Sequence, residues 1–181
     1  MIIKNGKVLL FKDNDVVVKD VDVKIKEGKI TKIGNNLETE EGEKIIDAKN
    51  KVVMPGLINT HTHIAMSIFR GTFEGCSLYT WLNEKIWPIE AKLTKEDLCR
   101  RVWSDGRDRI YRRNISTGTT CFNDHYFFPE ETRKAVEETG ARAVLTRVLM
   151  DSDGDDAGQT RIDEFEKFYQ TRNEKNDLIT Y

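Results

Sequence analysis

The sequence lacks several features that would assign it to a particular class of protein. It has no run of about 18 apolar residues, so no segment could span a membrane as a helix. It has no basic block, and its 29 Lys and Arg nearly balance 31 Asp and Glu, which gives no electrostatic footprint for nucleic acid. The N-terminus lacks a signal-peptide pattern. We therefore expect a cytoplasmic protein that binds neither membranes nor nucleic acids.

Cysteine is also scarce. Cys76, Cys99 and Cys121 are odd in number and widely spaced, and none forms a CxxC pair. This pattern predicts reduced thiols rather than a disulfide framework or a zinc knuckle. Only three histidines occur in the 181 residues.

The first 55 residues have the pattern of short β-strands. Apolar Val21, Val23 and Ile25 alternate with polar residues, which predicts a strand with one buried and one wet face. The dipeptides Asn5-Gly6 and Glu27-Gly28 are turn signals, the first of them typical of a hairpin. The spacing of strands and turns predicts a small β-sandwich, or part of one, over residues 1–55.

From Gly56 to Tyr181 the pattern changes to alternating strands and helices, which predicts parallel βα units and an α/β fold. An irregular, aromatic-rich stretch follows the first strand. The segments predicted from periodicity, capping residues and breakers are strands at 56–63, 118–124, 141–150 and 178–181, and helices at 94–113, 129–140 and 162–169. Chemistry in such folds gathers at the carboxyl ends of the strands.

His61 and His63 are the strongest functional signal. Residues i and i+2 of a strand point to the same face, so the two imidazoles lie side by side at a strand end. Imidazole nitrogen suits zinc, and a catalytic zinc keeps an open position for water. From spacing alone, two surface histidines on a loop fit equally well.

His125 follows Asn123-Asp124 at the end of the next predicted strand, so it should lie at the same sheet edge. A third metal ligand, a substrate contact and a satisfied polar residue all remain open for it. Asp124 could orient a histidine or cap the following helix.

The segment Val53–His63 resembles the signature of the amidohydrolase superfamily, in which His-x-His ends the first strand of a (β/α)8 barrel. The continuations Ala65–Gly71 and Ile86–Thr94 narrow the resemblance to the branch that holds methylthioadenosine/S-adenosylhomocysteine deaminases and triazine chlorohydrolases. The resemblance implies that residues 56–181 form the first four βα units of that barrel. It also implies that residues 1–55 belong to a composite β-sandwich.

The resemblance also implies roles for individual residues. His61 and His63 would bind the catalytic metal, zinc or another divalent ion. Glu90 would accept the ribose hydroxyls, Arg147 would hold the polar end of the substrate, and Trp87 would wall the purine pocket. From the residues alone, these last three also fit structural roles: an exposed glutamate, an ion-pair partner and a core aromatic.

The sequence departs from the resembled family in two ways. Many relatives carry Met where His125 stands, so His125 is expected to change what the substrate pocket accepts. The family's later histidine and aspartate ligands and its proton-shuttling glutamate lie on strands beyond Tyr181.

We therefore expect an N-terminal fragment of a hydrolytic deaminase of purine nucleosides, itself inactive and self-associating through open barrel edges. Two alternatives stay open. One is a chlorohydrolase or guanine-type deaminase of the same superfamily. The other is a non-catalytic truncated protein that binds a metal or a partner.

Overall fold

The computed structural model describes residues 1–97, 114–149, 157–172 and 176–181. The chain divides into two compact units, Met1–Pro55 and Gly56–Tyr181. Within the described ranges, no helix has the length and apolar character needed to cross a membrane. Most of the helix predicted at 94–113 lies outside these ranges, and so does Cys99.

The first unit has five strands: β1 Ile2–Lys12, β2 Asp15–Lys26, β3 Lys29–Gly34, β4 Ile45–Asp47 and β5 Val52–Val53. They form one sheet with strand order β3-β2-β1-β4, and β5 also pairs with β1. The antiparallel pair β1–β2 turns at Asp13 and Asn14, whose φ angles of 51° and 65° suit a two-residue hairpin. Glu27-Gly28 forms the next turn, as its sequence predicts. The sandwich itself stays a prediction.

The hairpin predicted at Asn5-Gly6 is wrong, because both residues lie within β1 at a bulge. Asn5 has a φ of 62°, and its side chain donates to Asp47 Oδ1 at 3.0 Å. A Cβ on Gly6 would come within 2.8 Å of Val53. The dipeptide therefore supplies the left-handed residue and the close approach that a bulge needs.

The prediction that the polar residues of β2 face solvent is also wrong at one position. Asp22 is buried, with 6% exposure. Its carboxylate accepts the backbone N–H of Leu37 at 3.0 Å and that of Asn5 at 3.3 Å. These hydrogen bonds let a carboxylate occupy an interior position that the alternation of residue types assigns to solvent.

The described strands of the second unit are β6 Leu57–Thr62, β7 Thr119–Tyr126, β8 Arg142–Arg147 and β9 Ile179–Thr180. They form a parallel sheet in sequence order, β6-β7-β8-β9, which confirms the predicted parallel arrangement. The core of this unit includes Phe122, Val136, Leu145 and Phe168. The described α-helices are α1 Leu78–Thr80, α2 Trp87–Glu90, α3 Pro129–Thr139 and α4 Ala157–Gln170. Closure into a barrel stays a prediction.

The stretch after β6 is more helical than its sequence suggests. A 3₁₀ turn covers Ala65–Phe69, and a π-helical segment, Trp81–Ile86, joins α1 to α2. Ser77 caps the start of this run, because its hydroxyl accepts the N–H of Thr80 at 3.2 Å. The run places Glu90 at the end of α2.

Candidate metal centre

Strand register brings the histidines together at the carboxyl edge of the parallel sheet. Thr62 at the end of β6 pairs with Asp124 of β7, so the residues that follow them, His63 and His125, are adjacent on neighbouring strand ends. The register shifts between Asn59 and Thr62, which is the segment that holds His61. Irregularities of this kind change the direction of side chains and are common beside functional sites.

His61 and His63 lie close to each other, as their spacing predicts. Their Nε2 atoms are 3.1 Å apart, and their ring centroids are 4.8 Å apart. The Nδ1 atom of His63 lies 2.8 Å from the carbonyl oxygen of His125. Because a carbonyl can only accept, Nδ1 of His63 carries a proton, and in the neutral form of this tautomer the lone pair is on Nε2.

His125 lies against both of these rings. Its centroid is 4.6 Å from that of His61 and 4.3 Å from that of His63. One ligand atom from each of the three side chains lies within 4.8 Å of the others. Burial, and then the charges of His63 and His61, lower the pKa of His125, which favours a neutral ring.

Asp124 secures the end of β6 rather than a histidine ring. Its Oδ1 accepts the N–H of Ile64 at 2.7 Å and lies 3.0 Å from the hydroxyl of Thr62. Its other oxygen lies 3.5 Å from the hydroxyl of Thr132 in α3. Burial raises the pKa of the Asp124 carboxyl to about 6, and the hydrogen bonds partly oppose this rise.

Glu90 is hydrogen-bonded to a tyrosine, Tyr126, that the sequence does not mark as a site residue. The buried Tyr126 ends β7, and its hydroxyl donates to Glu90 Oε1. Its ring centroid lies 6.0 Å from that of His63. Burial and the bond to Glu90 raise the pKa of the Tyr126 hydroxyl, so it stays a proton donor. The two residues are 36 positions apart, so no local pattern signals the bond.

Arg147 ends β8 in register with Tyr126, at the same sheet edge. Its guanidinium forms an ion pair with Glu164 of α4. Its Nε is buried and has no hydrogen-bond partner among the described residues.

A cavity of about 540 Å³ opens beside His63. Its wall includes Met66, Phe69 and Trp81, and Arg70 supplies a cationic group. This volume suits a small-molecule ligand. Trp87, the predicted pocket aromatic, is 41% exposed and is not among the residues that line this cavity.

The three imidazoles fit a divalent transition metal. Ligand nitrogens around a tetrahedral zinc, each about 2.0–2.1 Å from the ion, lie about 3.3 Å from one another. The separation of 3.1 Å between His61 and His63 is close to this value. The hydrogen bond from His63 to the backbone carbonyl of His125 orients the ring of His63, as is usual for metal-binding histidines.

Comparisons with known proteins confirm the family resemblance of the sequence. Residues 52–180 match the family model described as Amidohydrolase family. The chain is 44% identical over 168 residues to a 5′-deoxyadenosine deaminase of Methanosarcina mazei, covering 93% of this chain and 38% of that protein. It is 42% identical over 173 residues to a 5-methylthioadenosine/S-adenosylhomocysteine deaminase of Carboxydothermus hydrogenoformans, with the same coverage.

A solved adenosine deaminase from Xanthomonas campestris, with bound zinc, has the same fold over this chain. The TM-score is 0.76 at 26% identity, covering 99% of this chain and 41% of that one. The chain thus spans about two fifths of the length of the proteins it matches.

Proposed function

Because the chain belongs to the amidohydrolase family, we propose that it is the N-terminal part of a metal-dependent hydrolase that deaminates an adenosine-type nucleoside. The observation that carries this proposal is the pair of histidines, His61 and His63, whose Nε2 atoms converge at the carboxyl edge of the sheet. The relatives named as deaminases support the reaction class.

The residues of this chain would bind the metal and orient the substrate. His61 and His63 would present neutral nitrogens to the metal, and the bond to the His125 carbonyl would hold His63 in the required tautomer. When bound, a divalent metal such as zinc would supply Lewis acidity that makes an attacking water acidic near neutral pH. The cavity beside His63 would exclude bulk water from the purine ring.

Glu90 would recognise the sugar. Tyr126 donates to one of its carboxylate oxygens, which leaves acceptor sites for two ribose hydroxyls. Arg147 would use its buried Nε–H toward the substrate's polar end while Glu164 holds the rest of the guanidinium. His125 and Trp87 stay proposed substrate contacts, although neither lines the cavity beside His63.

Catalysis also needs a group that moves a proton to the leaving amine. The chain spans only about two fifths of the length of the proteins it matches. We therefore expect residues 1–181 by themselves to have little activity, and we expect the complete gene product to deaminate.

The test assays the complete gene product with adenosine, 5′-deoxyadenosine, methylthioadenosine and S-adenosylhomocysteine, with ammonia release as the readout. Guanine and a chlorotriazine serve as substrates of the alternative activities. Chelation should abolish turnover and zinc should restore it. Release of ammonia only from guanine, or of chloride only from the triazine, would replace the proposal with that alternative.

Glu90→Gln separates sugar recognition from chemistry. The amide keeps the size of the side chain but weakens its acceptance of two hydroxyls, so KM for the nucleoside should rise about tenfold or more. Turnover of 2′,3′-dideoxyadenosine, which lacks both hydroxyls, should change little. Equal effects on both substrates would show that Glu90 does not contact the ribose.

A further inference from the structure

His125 lies beside His61 and His63, although it belongs to another strand. The Thr62–Asp124 register sets it beside His63, on a different strand from the His61–His63 pair. Its ring meets the other two edge-on, at interplanar angles of 90° and 66°. The three rings therefore surround one small space from two strand ends.

The donor atoms, and not only the rings, share this space. The three ligand atoms lie within 4.8 Å of one another, against the separation of about 3.3 Å around a tetrahedral ion. Side-chain rotation can supply the remaining movement, since His61 is exposed and His63 and His125 are only half-buried.

We propose that His125 is a third metal ligand, so that His61, His63 and His125 together hold one divalent transition-metal ion. The inference rests on the metal centre of the proposed function and adds to it a ligand from β7. Three imidazoles leave one position of a tetrahedral ion open for water or substrate, beside the cavity that His63 lines.

This assignment has a consequence for residues 1–181. Two imidazoles hold zinc weakly, whereas three complete the ligand set of a typical catalytic zinc site. The described part of the chain therefore contains enough ligands to retain a metal without any from other strands.

The experiment titrates zinc into 15N-labelled protein of residues 1–181 and follows the imidazole nitrogens by NMR. The chain has only three histidines, so each ring can be assigned and followed separately. We expect saturation at one ion per chain, with the coordinated nitrogen of each of the three rings shifting. Cobalt should give the visible spectrum of a tetrahedral site.

His125→Gln provides the matched variant. Glutamine keeps a polar side chain of similar length, and the backbone carbonyl at position 125 can still accept from His63. We expect zinc affinity to fall at least about tenfold. Cys121→Ser, on the same strand, should bind zinc as the unsubstituted chain does, which excludes ligation by that thiol.

Shifts confined to His61 and His63, or unchanged affinity in His125→Gln, would overturn the assignment of His125 and leave the proposed function standing. Failure of residues 1–181 to bind any metal would also overturn it. The proposed function is judged separately, on ammonia release by the complete gene product. If His125→Gln does not fold, the three resonances of the unsubstituted chain still decide the question.

Discussion

At the scale of single residues, the neighbours Asp124 and His125 have opposite environments. Successive side chains of a strand point to opposite faces. Asp124 is therefore buried toward Thr132 of α3, whereas His125 meets the two histidines of the preceding strand. The carboxylate fixes the backbone that carries His63, since it accepts the N–H of Ile64. The buried residue thus supports the site without entering it.

Charge pairing on the first sheet gives a prediction at the same scale. Lys24 and Lys26 both donate to Glu40 at 2.9 Å, and these hydrogen bonds lower the pKa of Glu40 from 4.5 to about 2. Because the pKa of Glu40 is lower in the folded state, its ionised form stabilises the fold above pH 4.5. This stabilisation is lost as the pH falls toward 2. Lys24→Met should therefore raise the pKa of Glu40 toward its ordinary value, as measured by carboxyl NMR titration.

Lys19→Met is the matched control for this pair. It removes the same charge from the same strand, five positions away, and should leave the pKa of Glu40 nearly unchanged. High salt should reduce the difference between the two variants, because exposed charges are screened. An equal pKa in both variants would show that the hydrogen bond from Lys24 does not perturb Glu40.

At the scale of elements, α3 ends at a residue that must adopt a left-handed conformation. Gly140 has a φ of 66°, and its N–H donates to Val136 at 3.0 Å. Nothing lies within 4 Å of a Cβ placed there, so substitution has a conformational cost alone. Gly140→Ala should lower the free energy of unfolding by about 1 kcal/mol. Urea denaturation of residues 1–181 measures this loss.

Gly140→Asn tests the cause of that loss. Asparagine adopts the left-handed region more readily than alanine, so its cost should be clearly smaller. Equal losses for the two variants would point to something other than backbone conformation. No loss in either would show that the cap contributes nothing to stability.

The elements also show which features sequence alone can predict. The signals of α3 are local: Pro129 at its start, Glu130 and Glu131 in its first turn and Gly140 after its end all act within a few residues. The bulge at Asn5-Gly6 has the local sequence of a turn, and the residues that Asn5 bonds lie on other strands. A dipeptide cannot reveal such cross-strand contacts.

In the candidate site, too, some features follow from local sequence and others depend on the folded chain. The placement of His61 and His63 at a strand end follows from spacing, and the expectation that His125 shares their edge follows from parallel strands. The contact between the rings depends on the β6–β7 register, which no single strand encodes. The bond between Tyr126 and Glu90 joins a strand end to a helix end and needs the folded chain.

At the scale of the whole molecule, the parallel sheet presents an outer strand with exposed apolar side chains. Among the described strands, β6 pairs only with β7. Leu57 and Ile58 on β6 are 53% and 67% exposed. An unpaired strand with apolar side chains is a template for association with another chain. We therefore keep the prediction that residues 1–181 self-associate.

Ile58→Lys should shift residues 1–181 toward monomer in sedimentation velocity, because a charge on an edge strand opposes edge-to-edge pairing. Leu78→Lys is the matched control, since Leu78 is 71% exposed but lies on α1 rather than on a strand. If both variants dissociate equally, general surface hydrophobicity rather than the strand edge drives association. If the unsubstituted chain sediments as a monomer at every concentration, the prediction is wrong, and β6 is stable with one side unpaired.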